Sequence, residues 1–244
     1  GTLRARQADT LLLHAHKVRW LDAWPDAIEG VVVGNELLDA MPVQLLQRTS
    51  GVWHERGVVS AGQGFAWQDR ITDLRPPVEI KGEHDYLTEV HPQAEAFITS
   101  LAERLLAGRG GAAFFIDYGF PEAEYFHPQR HMGTLMCHQL HQADDNPLVD
   151  VGQKDITAHV NFTGVAMAGQ NAGLNILGYS SQAWFLLNLG LAERMAAATL
   201  TERSQAQRLV NEHEMGELFK VIGFSTSADG SALGFAQGDR SHRL

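Results

Sequence analysis

The chain has 244 residues, of which 44% are hydrophobic and 20% are charged, so it can bury a large core in one domain, with or without an inserted segment. The formal net charge of -10 argues against a protein that holds nucleic acid through a general basic surface, and no apolar run reaches the roughly 20 residues of a membrane span. Cys137 is the single cysteine, which excludes an intrachain disulfide and a cysteine-based zinc cage and favours a reducing, cytoplasmic setting.

The first 42 residues predict a helix and then two strands. The sequence opens inside a helical pattern without an initiator Met, and leucines among polar residues at 3–13 indicate an amphipathic helix, so we expect further chain upstream. Residues 17–21 alternate in polarity and predict a short strand that stops at Asp22. Residues 30–34 are an apolar, β-branched run, typical of a buried parallel strand, and residues 37–41 should form a turn of helix.

The pattern of polar and apolar residues changes after residue 42 and again after residue 90. Residues 43–90 hold short alternating segments broken by glycine-containing turns, which predict β-hairpins. Beyond them, helical and strand patterns alternate. The predicted helices follow Pro92, follow Asn161 and occupy 182–191 and 192–210. The predicted strands are 112–116, 134–142, 174–179 and 217–224, of which we expect the last two to pair.

Polar side chains follow the predicted buried strands. Asn35 and Glu36 come directly after one strand, and Asp117 follows another. In an open α/β sheet, ligands bind at the carboxyl ends of the strands, so these residues are candidates for chemistry. A strand-to-helix turn with solvated side chains explains them equally well. Asp22 offers the same choice, because it can accept hydrogen bonds from a ligand or cap the turn that follows.

Further along, Asp155 and His159 are four residues apart and can both face a cleft, or they can belong to a helix-entry turn that satisfies its own backbone donors. Four histidines lie at 127, 131, 138 and 141, but Pro128 interrupts the first pair and the second pair points to opposite faces of a strand. We therefore expect no metal site. The printed sequence also contains no glycine-rich phosphate loop and no nucleophile elbow.

Five segments, in order, carry a resemblance to a known family. GNELLDAMPV, FFIDYGF, DITAHVNFTG, SQAWFLLNLGL and EMGELFKV are similar to the MidA-like family of S-adenosyl-L-methionine-dependent methyltransferases, which includes the mitochondrial arginine methyltransferase needed for complex I assembly. The resemblance implies an α/β fold with the class I (Rossmann-like) methyltransferase sheet, its first strands absent from this chain. It also implies a mixed, β-rich insertion between strands four and five. The methyltransferase core would then occupy residues 1–42 and 91–244, the insertion 43–90, and a substrate loop about 133–162.

The resemblance also implies roles for individual residues. Asp22 and Ala23 match the place where such enzymes hold the adenine of S-adenosyl-L-methionine, and Gly34, Asn35 and Glu36 match the place beside its methionine part. Gly34 stands where Ala is common. The implied catalytic residues are Glu36, Asp117, Asp155 and His159.

The implied reaction is methyl transfer to an arginine nitrogen of a protein substrate. Glu36 would orient the guanidinium, helped by Asp117 or Asp155, because carboxylates suit a permanently charged acceptor. Two alternatives remain open: a methyltransferase acting on another substrate, and a non-catalytic assembly module that binds a partner through residues 43–90. The oligomeric state is not specified by the sequence.

Overall fold

The computed structural model describes residues 2–139 and 142–244. Its strands, in chain order, are β1 (Gly30–Asn35), β2 (Gln44–Thr49), β3 (Val52–Ala61), β4 (Gly64–Ile71), β5 (Tyr86–Val90), β6 (Gly111–Phe120), β7 (Met136–Gln139), β8 (Gln142–Asp144), β9 (Asp155–Thr157), β10 (Val160–Asn161), β11 (Asn175–Ser181) and β12 (Phe219–Ser225). Its α-helices are α1 (Thr2–Thr10), α2 (Pro92–Ala107), α3 (Glu122–Tyr125), α4 (Phe162–Asn171), α5 (Gln182–Asn188), α6 (Leu191–Ala197) and α7 (Leu200–Val210).

The central sheet has the strand order β1-β6-β12-β11, and the short β10 pairs with the end of β6. β1 and β6 run parallel from Gly30↔Gly111 to Asn35↔Ile116, so their carboxyl ends meet at one edge. The predicted burial of the strand at 30–34 is wrong: β1 lies at the end of the strand order in the described structure, and Val31 and Val33 are 67% and 66% exposed. β12 is antiparallel to both β6 and β11. The predicted pairing of the last two strands is therefore confirmed, and β12 lies inside the sheet.

Side chains of α2 and α4 cover one face of this sheet. Ile98, Leu101 and Leu105 of α2 and Val165 of α4 are buried against Phe115 and other apolar residues of the strands. Their spacing of three and four residues puts them on one side of α2, as the sequence predicts. This packing covers one face of β6, and the polar residues that follow Ile116 lie at the carboxyl end of the strand.

The segment between β1 and β6 forms a separate antiparallel sheet with the order β4-β3-β2-β5. The predicted hairpins are confirmed, because β2 pairs with β3 and β3 pairs with β4 in register. Tyr86 of β5 is buried with Tyr125, Phe126 and Ile80 in a second small core. This core joins the sheet to the segment that follows β6.

A third sheet has the order β8-β7-β9. The sequence predicts one strand at 134–142, which is wrong: β7 and β8 are two antiparallel strands, with Cys137 opposite Asp144. Alternating polarity is the same for one strand and for two, so the pattern could not show the reversal. Leu140 and His141 lie outside the described residues, so the prediction that His138 and His141 point to opposite faces of one strand is not tested.

The front of the chain departs from prediction. A helix forms at Thr2–Thr10, but none of its residues is buried. The predicted strand at 17–21 is wrong: Lys17 ends a 3₁₀ helix that begins at Leu12, and residues 18–21 are irregular. A strand requires a neighbour for its backbone hydrogen bonds, and within the described part of the chain β1 pairs with β6 alone. No helix in the described ranges is both long and apolar enough to cross a membrane.

Candidate functional site

Asp117 lies in the carboxyl-terminal half of β6 and holds the turn that follows β1. Its Oδ2 accepts hydrogen bonds from the backbone N–H groups of Leu37, Leu38 and Asp39 at 3.1, 2.9 and 3.3 Å. Its Oδ1 accepts from the Tyr118 N–H at 3.0 Å, and the residue is 1% exposed. Of the predicted turn of helix at 37–41, the structure has one hydrogen-bonded turn, in which the Met41 N–H donates to the Leu38 carbonyl at 3.2 Å. The Asp117 carboxylate holds the start of this turn.

Two opposing effects act on this carboxyl. Burial, with the neighbouring Asp39 carboxylate, raises the pKa of Asp117 to about 7, and the backbone donors lower it. Four N–H donors favour the ionised form, so the Asp117 carboxylate is charged above neutral pH. The hydrogen bonds that the Asp117 carboxylate accepts all come from backbone N–H groups of the protein in the described structure.

Glu36 adopts an unusual backbone at the end of β1. Its φ is 47°, in the left-handed region that L-residues avoid, and its N–H donates to the Ile116 carbonyl at 2.9 Å. The Asn35 side-chain amide donates to Glu36 Oε1 at 3.1 Å, and both residues are exposed. Strained residues of this kind cluster at functional sites.

Gly34 is buried under this turn. A Cβ at this position would lie 2.8 Å from the Phe115 ring and 3.1 Å from the Leu37 side chain. The missing side chain therefore allows β1 to pack closely on Phe115. An alanine here requires the ring to move.

A cavity of about 670 Å³ opens at the carboxyl ends of β1 and β6. It contains three of the predicted catalytic residues, Glu36, Asp155 and His159. Asp39 and Tyr118 line it as well. Thus these five residues bring three separate segments of the chain together in one place, whereas the buried Asp117 does not line the cavity.

Several polar atoms at this cavity are buried without a hydrogen-bond partner in the described structure. They are Asp39 Oδ1, Thr157 Oγ1 and His159 Nδ1. Asp39 is 3% and Thr157 5% exposed. Unpaired buried polar groups are uncommon and costly, so their grouping here marks the cavity as a place for ligand contacts.

His159 is held between aromatic rings. Its ring contacts Tyr118 edge-on at 5.2 Å and Phe120 at 5.3 Å between centroids. Burial, together with the Arg130 guanidinium, lowers the pKa of His159 to about 4. The imidazole is therefore neutral at physiological pH and acts as a hydrogen-bonding group rather than a cation.

The Tyr118 hydroxyl lies near Asp39 and Thr157 without a hydrogen bond of good geometry to either. Burial raises the pKa of Tyr118, as does the Asp39 carboxylate, whereas Thr157 lowers it. The phenol thus stays protonated. Its hydroxyl faces the Asp39 carboxylate as a donor and the Thr157 hydroxyl as an acceptor on the same wall of the cavity.

Glu89 of β5 supports the segment around Thr134, and it was not predicted as a site residue from the sequence. It is 0% exposed, and its carboxylate accepts from the Tyr125 hydroxyl at 2.9 Å and from the Thr134 hydroxyl at 3.0 Å. Its other oxygen accepts from the Thr134 and Leu135 N–H groups at 2.8 and 3.1 Å. Thr134 in turn accepts from the His159 N–H at 3.0 Å. Glu89 therefore positions the segment that carries His159.

The predicted adenine-binding residues lie elsewhere. Asp22 is paired with Arg4 at 2.6 Å, its side chain is 85% exposed, and Ala23 beside it is exposed. Within the described residues, no hydrogen bond or ion pair joins Asp22 to Asn35. The structure thus brings Glu36, Asp155 and His159 together in this cavity, whereas Asp22 and Ala23 do not line it.

No group of three metal-ligating side chains occurs in the part of the chain that the structure describes. His127 and His131 lie in turns, and His127 accepts from the Gln129 N–H through Nδ1. Asp39, Thr157 and Glu89 were missed as site residues because their burial is set by distant segments. The available signal was local: Asp39 lies inside the GNELLDAMPV segment that carries the resemblance.

Comparison with known proteins adds to this geometry. Residues 1–180 match the model of the family described as "Putative S-adenosyl-L-methionine-dependent methyltransferase". A Burkholderia thailandensis protein solved with bound S-adenosyl-homocysteine has 47% identity and a TM-score of 0.91, covering 100% of this chain and 66% of that one.

Curated relatives are more distant. The mitochondrial protein arginine methyltransferase NDUFAF7 of Danio rerio is 28% identical over 234 residues, covering 86% of this chain and 51% of the relative. The Xenopus tropicalis protein of the same name is 30% identical over 217 residues, covering 78% of this chain and 45% of the relative. The chain spans about half the length of the curated relatives it matches.

The match over residues 1–180 places the chain in a class of methyltransferase folds that use S-adenosyl-L-methionine. Together with its relatives, it shows that the chain belongs to the MidA-like family of S-adenosyl-L-methionine-dependent methyltransferases.

Proposed function

We propose that this chain is part of an S-adenosyl-L-methionine-dependent methyltransferase that transfers a methyl group to an arginine nitrogen of a protein substrate. The observation that carries the proposal is the cavity where Glu36, Asp39, Asp155 and His159 meet at the carboxyl ends of β1 and β6. Ligands of open α/β sheets bind at this edge. Family membership supports the cofactor, and the names of the distant relatives support the arginine substrate.

The cofactor would fit beside Asn35 and Glu36 as they stand, but its adenine would require Asp22 to give up its ion pair with Arg4. Asn35 and Glu36 are exposed beside a cavity whose volume of about 670 Å³ lies within the usual range for small-molecule sites. They would hold the methionine part, with the buried Gly34 letting β1 pack closely on Phe115 beneath them. Asp22 and Ala23 would contact the adenine, and Asp22 would then exchange its pairing with Arg4. The bound cofactor supplies an electrophilic methyl group on a sulfonium.

The residues of the cavity provide what the acceptor needs. Glu36 and Asp155 would accept N–H bonds from the guanidinium and hold its nitrogen in line with the methyl carbon. As the nitrogen–carbon bond forms and the carbon–sulfur bond breaks, the electron pair stays on sulfur and the nitrogen loses a proton to a carboxylate. Neutral His159 would hydrogen-bond the acceptor through its unpaired Nδ1.

Asp117 has a different place in this proposal. Its four backbone hydrogen bonds and 1% exposure support a positioning role, in which it holds the turn that carries Glu36 and Asp39. Asp117 would act on the reaction through that turn rather than by contact with the substrate.

The experiment is a calorimetric titration of S-adenosyl-L-methionine into the protein and into an Asn35→Ala variant, with transfer of a labelled methyl group to an arginine peptide measured alongside. We expect binding by the parent protein and about tenfold weaker binding by the variant, equal to one lost hydrogen-bonding side chain. A Gln63→Ala variant, on the exposed β3–β4 turn, is the matched control. No binding by the parent protein would overturn the proposal.

A further inference from the structure

A second cavity, of about 560 Å³, lies beside the site cavity and has apolar walls. One wall belongs to the β4-β3-β2-β5 sheet, and the facing wall belongs to β9 and the segment before it. Five large apolar side chains on these walls are between 37% and 57% exposed: Val58, Phe65, Trp67, Val151 and Ile156. Apolar side chains that face one another without filling the space between them mark a binding groove.

The two cavities share a wall. Asp39, Ala40 and Thr157 line both of them. The strand β9 separates them by its alternation: Asp155 lines the site cavity, and the next residue, Ile156, lines the apolar cavity. A ligand that enters the site cavity with a polar group can therefore place a neighbouring apolar group in the second cavity.

Charge at the groove favours a cationic ligand over an anionic one. Asp39 and Glu55 line it, and its arginine, Arg56, is already paired with Asp69 through two hydrogen bonds of 2.8 Å. At the shared wall, the Asp39 carboxylate is a buried acceptor whose Oδ1 makes no hydrogen bond in the described structure. The chain as a whole carries a formal net charge of -10.

We propose that the apolar cavity is a specificity subsite for the polypeptide substrate, which accepts an apolar side chain close in sequence to the basic residue that enters the site cavity. The inference rests on the proposed function and adds the kind of sequence that the site selects. An extended chain advances about 3.3 Å per residue, so cavities with a common wall suit an apolar residue within about three positions of the basic one.

The test uses two labelled peptides that differ only beside their arginine, one with leucine and one with glycine in the flanking positions. Their binding to the protein is measured by fluorescence anisotropy in the presence of S-adenosyl-homocysteine. We expect the leucine peptide to bind about tenfold more tightly, as burial of one large apolar side chain implies. A Val58→Asp variant should lose this preference.

The matched control is Val52→Asp, because Val52 lies on the same strand, is 46% exposed and does not line the groove. This variant should keep the preference. Equal binding of the two peptides, or a preference that survives Val58→Asp, would overturn the inference while leaving methyl transfer intact. Self-association that Val58→Asp abolishes would identify a second copy of the chain as the occupant and would also overturn it. If S-adenosyl-homocysteine itself does not bind, the proposed function fails instead.

Discussion

Asp117→Ala should be among the most destabilising single substitutions in this protein. It removes the acceptor of four backbone N–H groups, three of them in the turn after β1 at 2.9–3.3 Å. A hydrogen bond to a charged group contributes roughly 1.5–3 kcal/mol, but the four share one carboxylate and are not additive. Leu37 at the start of the turn is 37% exposed and can rehydrate, so we expect a loss of about 4 kcal/mol in the free energy of unfolding.

Asp117→Asn should cost less, about 1–2 kcal/mol, because one oxygen still accepts from the turn and only the Tyr118 N–H faces a new donor. Urea unfolding followed by tryptophan fluorescence at pH 8, where the carboxylate is ionised, gives both values. Asp155→Ala is the control, since Asp155 is exposed, and should change stability by less than about 0.5 kcal/mol. An Asp117→Ala variant as stable as this control would refute the anchoring role.

Three further predictions concern the same region. Glu36→Gly relieves the left-handed backbone at φ 47° and should leave the protein equally stable or up to about 1 kcal/mol more stable than Glu36→Gln in urea unfolding; a less stable glycine variant would show that no strain is present. The pKa of His159 is lowered from 6.5 to about 4, so between those pH values the unfolded chain binds a proton that the native chain does not. The free energy of unfolding therefore decreases as the pH is lowered through this range. The parent protein should therefore lose up to about 3 kcal/mol more than His159→Gln on acidification from pH 7 to pH 4, and parallel urea midpoints would contradict this. Glu89→Ala leaves two amides and two hydroxyls without their acceptor and should cost about 4 kcal/mol, whereas Glu89→Gln, whose amide can donate to those hydroxyls, should cost about 1–2 kcal/mol; equal losses would be evidence against the network.

Strands marked by a local run of apolar residues could be predicted, although the burial of β1 could not, since Val31 and Val33 are 67% and 66% exposed. The β-branched run before Asn35 and the apolar run before Asp117 both form strands of the central sheet, and the glycine-broken segments form hairpins. Residues 17–21 show the limit, because alternation permits a strand but a neighbouring strand has to be present for it to form. Local pattern carries no information about that neighbour.

The residues of the candidate site likewise fall into those that the sequence identified and those whose role depends on distant contacts. Polar residues at strand ends identified Glu36, and the resemblance added Asp155 and His159, which do meet in one cavity. Asp117 was expected to help in catalysis, but its partners lie about 80 residues away in the sequence, and local reasoning cannot show that its side chain turns toward them. The burial of Asp39 and Glu89 likewise depends on contacts with distant segments.

The most direct test of the proposed reaction is the mass of an arginine peptide after incubation with S-adenosyl-L-methionine and the protein, compared between Glu36→Gln and Glu193→Gln. Glu193 is an exposed glutamate on α6 that does not line the cavity. We predict that the parent protein and Glu193→Gln add a methyl group to arginine, and that Glu36→Gln is slower by at least about 100-fold, as expected for loss of a group that orients the acceptor and takes its proton. Equal methylation by Glu36→Gln and Glu193→Gln would contradict the assignment of the reaction to this cavity.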